Sequence, residues 1–148
     1  MKVYLDMCAI QRPLDTPDQI RIVLEAEAVL GILLLCETGQ LALVSSDALR
    51  YELEQNPLPA RKEYARAVLR LAHTHIPLSE EVRERASQLT ELGFKPLDAL
   101  HVASAEAAQV QYFCTCDDRL LRKAREAIGW RMKVVSPIEM VQELEAWS

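Results

Sequence analysis

The sequence predicts an α/β fold, a three-layer α/β/α sandwich around a central five-stranded parallel sheet in the order 3-2-1-4-5. Two observations predict it. Short β-branched and aromatic segments alternate with helical segments along the whole chain, and that alternation produces a parallel sheet covered on both faces. Asp6 ends the first strand and Asp117 ends the fourth. Sites in such sheets form at the carboxyl ends of strands where the strand order reverses, so this order brings both acids to one crevice.

Each element has a local reason. Lys2 to Leu5 is a short apolar strand ended by Asp6. Met7 to Pro17 reads as a loop broken by Pro13 and Pro17. Gln19 to about Thr38 is a long helix, apolar nearly all round its second half and expected to be buried there, with Gly39 as its stop. Leu41 to Ser45 is the second strand, and Ser45 or Ser46 caps a helix to about Gln55 that carries Glu52. Pro57 and Pro59 separate it from a helix over Ala60 to Ala72. His75 to Pro77 is the third strand, and Ser79 caps a helix to Gly93. Pro96 stands at a first-turn position of an Ala-rich helix that runs to about Gln109 and carries Asp98 in that turn. Gln111 to Thr115 is the fourth strand. Asp117 and Asp118 open an amphipathic helix with Leu120, Leu121, Ala124 and Ile128 inside, ended by Gly129. Arg131 to Val135 is the fifth strand, and Pro137 opens a final helix to about Trp147.

At 148 residues, half of them apolar, the chain reads as one folded domain over 1–148. Asp6 breaks the N-terminal apolar run, so no signal peptide is expected. The run from Val29 to Cys36 is too short to span a bilayer. A cytoplasmic location follows as the expectation, with Cys8, Cys36, Cys114 and Cys116 as reduced thiols. The net charge of −5 argues against nucleic acid taken alone, but its distribution is uneven. Between Arg119 and Lys133 stand six basic residues and one acid, and Arg61, Lys62, Arg66 and Arg70 form a second basic cluster. Solvated helix faces account for each cluster on its own.

Each acid has a structural explanation by itself. Asp117 is a good N-cap, Asp118 and Asp98 suit first turns, and Glu52 suits a solvated helix face. Asp6 is different, because an acid directly after a buried strand is costly without a partner. Together the carboxylates would repel one another in one crevice and hold protons. A hard divalent cation removes that penalty, and carboxylate oxygens suit Mg²⁺ or Mn²⁺.

Four segments in order carry a resemblance to a known family. They are Val-Tyr-Leu-Asp at 3–6, Ser-Ser-Asp-Ala-Leu-Arg-Tyr-Glu at 45–52, Leu-Asp-Ala-Leu-His-Val-Ala-Ser-Ala at 97–105 and Thr-Cys-Asp-Asp-Arg-Leu at 115–120. The chain resembles the PIN-domain ribonucleases over nearly its whole length. That resemblance implies a PIN-like fold with Asp6, Glu52, Asp98 and Asp117 as a metal-binding catalytic quartet and Thr115 as a supporting hydroxyl. It further implies Mg²⁺- or Mn²⁺-dependent hydrolysis of RNA phosphodiester bonds, often by a toxin that a small antitoxin protein blocks. Arg12 either contacts a phosphate or makes a surface salt bridge, and His101, one turn after Asp98, is either a ligand or base or, as favoured, a structural residue hydrogen-bonded beside the site.

Rival chemistries lack their signatures. Residues 6 to 8 are Asp-Met-Cys rather than the Asp-x-Asp of a haloacid-dehalogenase-like phosphatase, and all four glycines are isolated, so there is no phosphate-cradling loop. The remaining alternative is a catalytically idle PIN-like module that binds RNA or protein. A homodimer is the expected assembly, on the apolar surplus of the long helix.

Overall fold

The computed structural model describes residues 1–127 and 129–146. Its five-stranded sheet has the order β3-β2-β1-β4-β5 with every pairing parallel, as expected. The strands are β1 (Lys2–Leu5), β2 (Ala42–Ser46), β3 (Thr74–Ile76), β4 (Tyr112–Cys114) and β5 (Lys133–Val135). The three inner strands β2, β1 and β4 are almost fully buried, because both of their faces are covered by helices. Leu5 is in register with Cys114, so both strands end at the same level and the order reverses between them.

The helices are α1 (Met7–Gln11), α2 (Ile20–Glu37), α3 (Asp47–Glu54), α4 (Pro59–Leu69), α5 (Glu80–Glu91), α6 (Pro96–Ala107), α7 (Asp118–Glu126) and α8 (Pro137–Glu145). Their starts follow their capping chemistry. Ser46 accepts from the Leu49 N–H, Ser79 from the Val82 N–H, and Ser136 forms a capping box with Glu139. Pro59, Pro96 and Pro137 each occupy a first-turn position, where a missing N–H costs nothing. Helices α5 and α6 pack together, and α2 packs on α8. Gly39 ends α2 at φ +84°, a conformation that a side chain rarely adopts.

Two expectations need correction. Met7 to Pro17 is not a loop throughout: α1 occupies Met7–Gln11, and a 3₁₀ turn follows over Arg12–Leu14. Asp6 starts α1 by accepting the Met7 N–H, and the buried side chains of Met7, Ala9 and Ile10 hold the short helix on the core. Helical periodicity is hard to see over so few residues. The second half of α2 is also not buried all round. Val29, Ile32, Leu33 and Cys36 face the core, whereas Leu30 and Leu34 are 51% and 58% exposed. With Ile20 and Leu24 they put exposed apolar side chains on the outer side, around the exposed Glu27. Ile128 and Trp147, both expected in helices, lie outside the described residues.

Candidate metal centre at the strand switch point

Asp6 continues the line of β1. Its N–H donates to the Cys114 carbonyl at 2.9 Å, which places its carboxylate at the carboxyl edge of the two central strands. That carboxylate is buried but well satisfied. Oδ1 accepts from the Met7 N–H at 2.9 Å, and Oδ2 accepts from the Thr115 hydroxyl at 2.9 Å and the Cys8 thiol at 3.3 Å. Thr115 in turn accepts the Asp117 N–H at 3.0 Å. One hydroxyl therefore fixes the first acid to the backbone of another, across the two strands that flank the switch point.

Asp117 caps α7, with Oδ1 accepting from the N–H groups of Arg119 at 2.9 Å and Leu120 at 3.2 Å. Among the described residues its other oxygen has no hydrogen bond. Asp98 stands half-buried in the first turn of α6 and lines a cleft with Asp117. Burial, then the charges of Asp6 and Asp117, push its carboxyl up to about 6, against a smaller pull from His101 and Lys95.

Glu52 reaches the crevice from α3 and accepts from His101 Nε2 at 2.7 Å. That histidine is buried, and its Nδ1 lies 2.7 Å from the Tyr4 hydroxyl, which is also 2.7 Å from Ser46 Oγ. Burial pulls the His101 pKa down, but the Glu52 hydrogen bond and the charges of Asp6, Glu52 and Asp98 outweigh it and hold it above the ordinary histidine value. Asp6, Glu52 and His101 each present a ligand atom, and the three atoms lie within 4.8 Å of one another. Among the described residues, Asp98 and Asp117 join no group that tight. The geometry thus brings the histidine as close to Asp6 and Glu52 as any acid, while Asp98 and Asp117 line a cleft near enough for the charge of Asp6 to act on Asp98.

Arg12 is turned elsewhere. Its guanidinium meets Asp15 at 2.9 Å and approaches the buried Glu25 at 3.0 Å as an ion pair without hydrogen-bond alignment. Arg21 adds a second cation to Glu25 and holds Asp118 through two 2.7 Å contacts. The adjacent acids Asp117 and Asp118 therefore have different partners: one faces the cleft and the other is clamped to α2. Sequence reasoning did not single out Tyr4 or Arg21. A tyrosine inside an apolar strand needs a partner for its hydroxyl, and that was the available signal for Tyr4. Nothing local marks Arg21.

A parallel sheet that gathers acids at its switch point, one of them raised to about 6 by burial and by its neighbours' charges, is an α/β domain whose donors suit a hard divalent cation. Residues 3–126 match the family model of the PIN domain, and the chain belongs to that family. PIN domains are generally nucleases. Two solved structures share the fold. VapBC2 from Rickettsia felis, bound to a DNA fragment from their promoter, matches with a TM-score of 0.60 at 14% identity, over 92% of this chain and 98% of that one. PAE2754 from Pyrobaculum aerophilum matches with a TM-score of 0.52 at 18% identity, over 100% of this chain and 91% of that one. No curated protein matches the chain in sequence.

Proposed function

We propose that the protein is a ribonuclease that hydrolyses RNA phosphodiester bonds with Mg²⁺ or Mn²⁺ held by Asp6, Glu52, Asp98 and Asp117. The observation that carries this reading is Asp98, whose carboxyl is held up to about 6 by burial and by the charges of Asp6 and Asp117. Burial and repulsion both disfavour the charged carboxyl in the metal-free protein, and a divalent cation beside it would favour the charged form.

A cation held there would supply Lewis acidity toward the phosphate and would lower the pKa of a bound water. The chain's own residues orient the donors. Thr115 fixes Asp6, His101 fixes Glu52, and the first N–H groups of α7 fix Asp117. His101 thereby acts as a positioning residue.

The same reading makes the protein the toxin of a toxin–antitoxin pair, acting in the cytoplasm as one domain over 1–148. Its likeness to the VapBC2 structure supports a small antitoxin partner. The exposed side chains of Ile20, Leu24, Leu30 and Leu34 support a homodimer, because water-exposed apolar side chains favour burial against a second copy. No described helix is long and apolar enough to cross a membrane.

Cleavage of a single-stranded RNA by purified protein, with Mn²⁺ or with a chelator, tests the reading. Expected is cleavage that needs the ion and disappears in Asp6→Asn. Binding of RNA without cleavage in any divalent ion would establish the idle-module alternative instead.

A further inference from the structure

Three cations line the same cleft as the acids and pair with none of them. Lys95 directly precedes α6, and Arg119 and Lys123 lie on α7. With Gly93, Asp98 and Asp117 they wall a cavity of about 120 Å³. Among the described residues these three side chains have no ion pair and no hydrogen bond. Elsewhere Arg21, Arg61, Arg66, Arg85 and Arg125 each hold a carboxylate at 2.9 Å or less. In a chain with net charge −5, acids to pair with are abundant. Within the cleft, Lys95 acts on Asp98 only through its charge, and among the described residues the side chains of Arg119 and Lys123 hold neither Asp98 nor Asp117.

The fold also makes room for one of them. Gly93 ends the turn after α5 at φ +102°, and a Cβ there would stand 2.8 Å from Lys123 Nζ and 3.2 Å from its Cε. Lys123 therefore lies across a position that has no side chain, and its ammonium is brought over the α5–α6 turn beside Lys95. Lys95 and Arg119 are exposed, and Lys123 is partly so. All three are open to a ligand from solvent.

We propose that Lys95, Arg119 and Lys123 form a seat for a phosphate of the RNA backbone next to the one being cut. The inference rests on the ribonuclease reading and adds a direction to it. The acids of the crevice repel a polyanion, and a divalent cation held by them would offset that repulsion at the scissile phosphate. A neighbouring phosphate meets the three basic side chains directly, and phosphate contacts of this kind fix register without reading sequence. The strand would then run across the crevice toward the α6–α7 side, and cleavage would fall one phosphate away from the seat. The three are positioning residues, since none touches the reacting atoms.

The test is steady-state cleavage of one single-stranded RNA in Mn²⁺ over a series of KCl concentrations. Lys123→Gln, Arg119→Gln and Lys95→Gln are compared with wild type and with Arg131→Gln. Arg131 precedes β5 at the opposite, amino edge of the sheet and is an uncommitted cation away from the crevice. Each cleft variant is expected to raise KM several-fold with kcat nearly unchanged. Each should also flatten the slope of log kcat/KM against log salt by about 0.7, the contribution of one phosphate contact on a single strand. Lys123→Arg keeps the charge and is expected to restore wild-type KM, whereas Arg131→Gln should behave as wild type.

If wild type cleaves and the cleft variants match Arg131→Gln in KM and slope, the phosphate seat is wrong and the ribonuclease reading stands. If wild type cleaves no RNA in any divalent ion, both fall. A fluorescent oligoglutamate peptide supplies the third arm. Loss of peptide binding in the cleft variants with an unchanged KM for RNA would assign the cations to an acidic protein partner and overturn the proposal.

Discussion

His101 joins the two halves of the sheet's carboxyl edge: its Nε2 lies 2.7 Å from Glu52 on α3, and its Nδ1 lies 2.7 Å from the hydroxyl of Tyr4 on β1. The side chain is 1% exposed, and its ring meets the Tyr4 ring edge-on with centroids 5.8 Å apart. Removing it would open a cavity and delete two hydrogen bonds at once. His101→Ala is expected to lower stability by about 2–4 kcal/mol, the sum of a buried truncation and the lost polar contacts. Tyr4→Phe removes only the hydroxyl and should cost about 1 kcal/mol. Urea unfolding of the metal-free proteins measures both. A His101→Ala midpoint equal to wild type would show that the ring does not hold Glu52 and Tyr4 in solution.

A pH dependence follows from Asp98. Its folded-state carboxyl is raised from 3.8 to about 6, chiefly by burial and then by Asp6 and Asp117. The folded protein thus binds the proton more tightly than the unfolded chain does. Stability from this group is fully present below about pH 4 and is lost as pH rises through about 6. Asp98→Asn cannot ionise. The variant is therefore expected to match wild type near pH 4 and to be the more stable of the two above pH 6, when both are free of divalent ions. Thermal melts in a chelator across that range measure the difference. A gap that is constant with pH would mean the carboxyl is not under this strain.

A divalent ion should reverse that order. Mn²⁺ binds only where the acids are gathered, so it raises the melting temperature of wild type by mass action. Asp98→Asn and Asp6→Asn are expected to gain less from millimolar Mn²⁺ than wild type does, because each removes a charged oxygen donor. Equal gains in all three proteins would place the ion elsewhere.

The sheet order and the positions of Asp6 and Asp117 were legible because local signals agreed. Apolar segments of strand length end in acids, serines precede helices, and Pro96 and Pro137 sit where helices begin. Helix α1 was not legible, because five residues carry too little periodicity and its stability comes from the Asp6 cap and the core contacts of Ile10. The outward face of α2 was also hidden. Its apolar residues surround the helix, and only tertiary packing decides that Val29 faces inward and Leu30 outward. The ties between Tyr4 and His101 and between Arg21 and Asp118 span 97 residues each, and no local pattern encodes them.

The outer side of α2 leads to a prediction about assembly. Leu30 and Leu34 lie one turn apart and are both more than half exposed. Gly31 stands beside them with open space where a Cβ would be, so a neighbouring helix could approach closely. Light scattering is expected to report a dimer for wild type at micromolar concentrations and a monomer for Leu30→Glu/Leu34→Glu. A wild-type monomer over that range would remove the homodimer.

The sharpest discrimination concerns the two consecutive acids. Asp117 caps α7 with Oδ1 and, among the described residues, its other oxygen has no hydrogen bond. Asp118 is exposed and held by both Nη atoms of Arg21 at 2.7 Å. Asn is as good an N-cap as Asp, so Asp117→Asn should preserve α7 and its stability while losing a charged metal donor. Its metal-dependent RNA cleavage is expected to fall by at least about a hundredfold, the scale on which groups supporting a catalytic metal act. Asp118→Asn breaks a surface ion pair, which is worth about 0–1 kcal/mol, and should leave most of the activity. Purified variants assayed on one RNA at saturating Mn²⁺, with melts run in parallel, separate the two roles. Equal losses of activity would put both acids in the centre. Loss at Asp118 alone would mean that the Arg21 contact, rather than the Asp117 oxygen, organises the crevice.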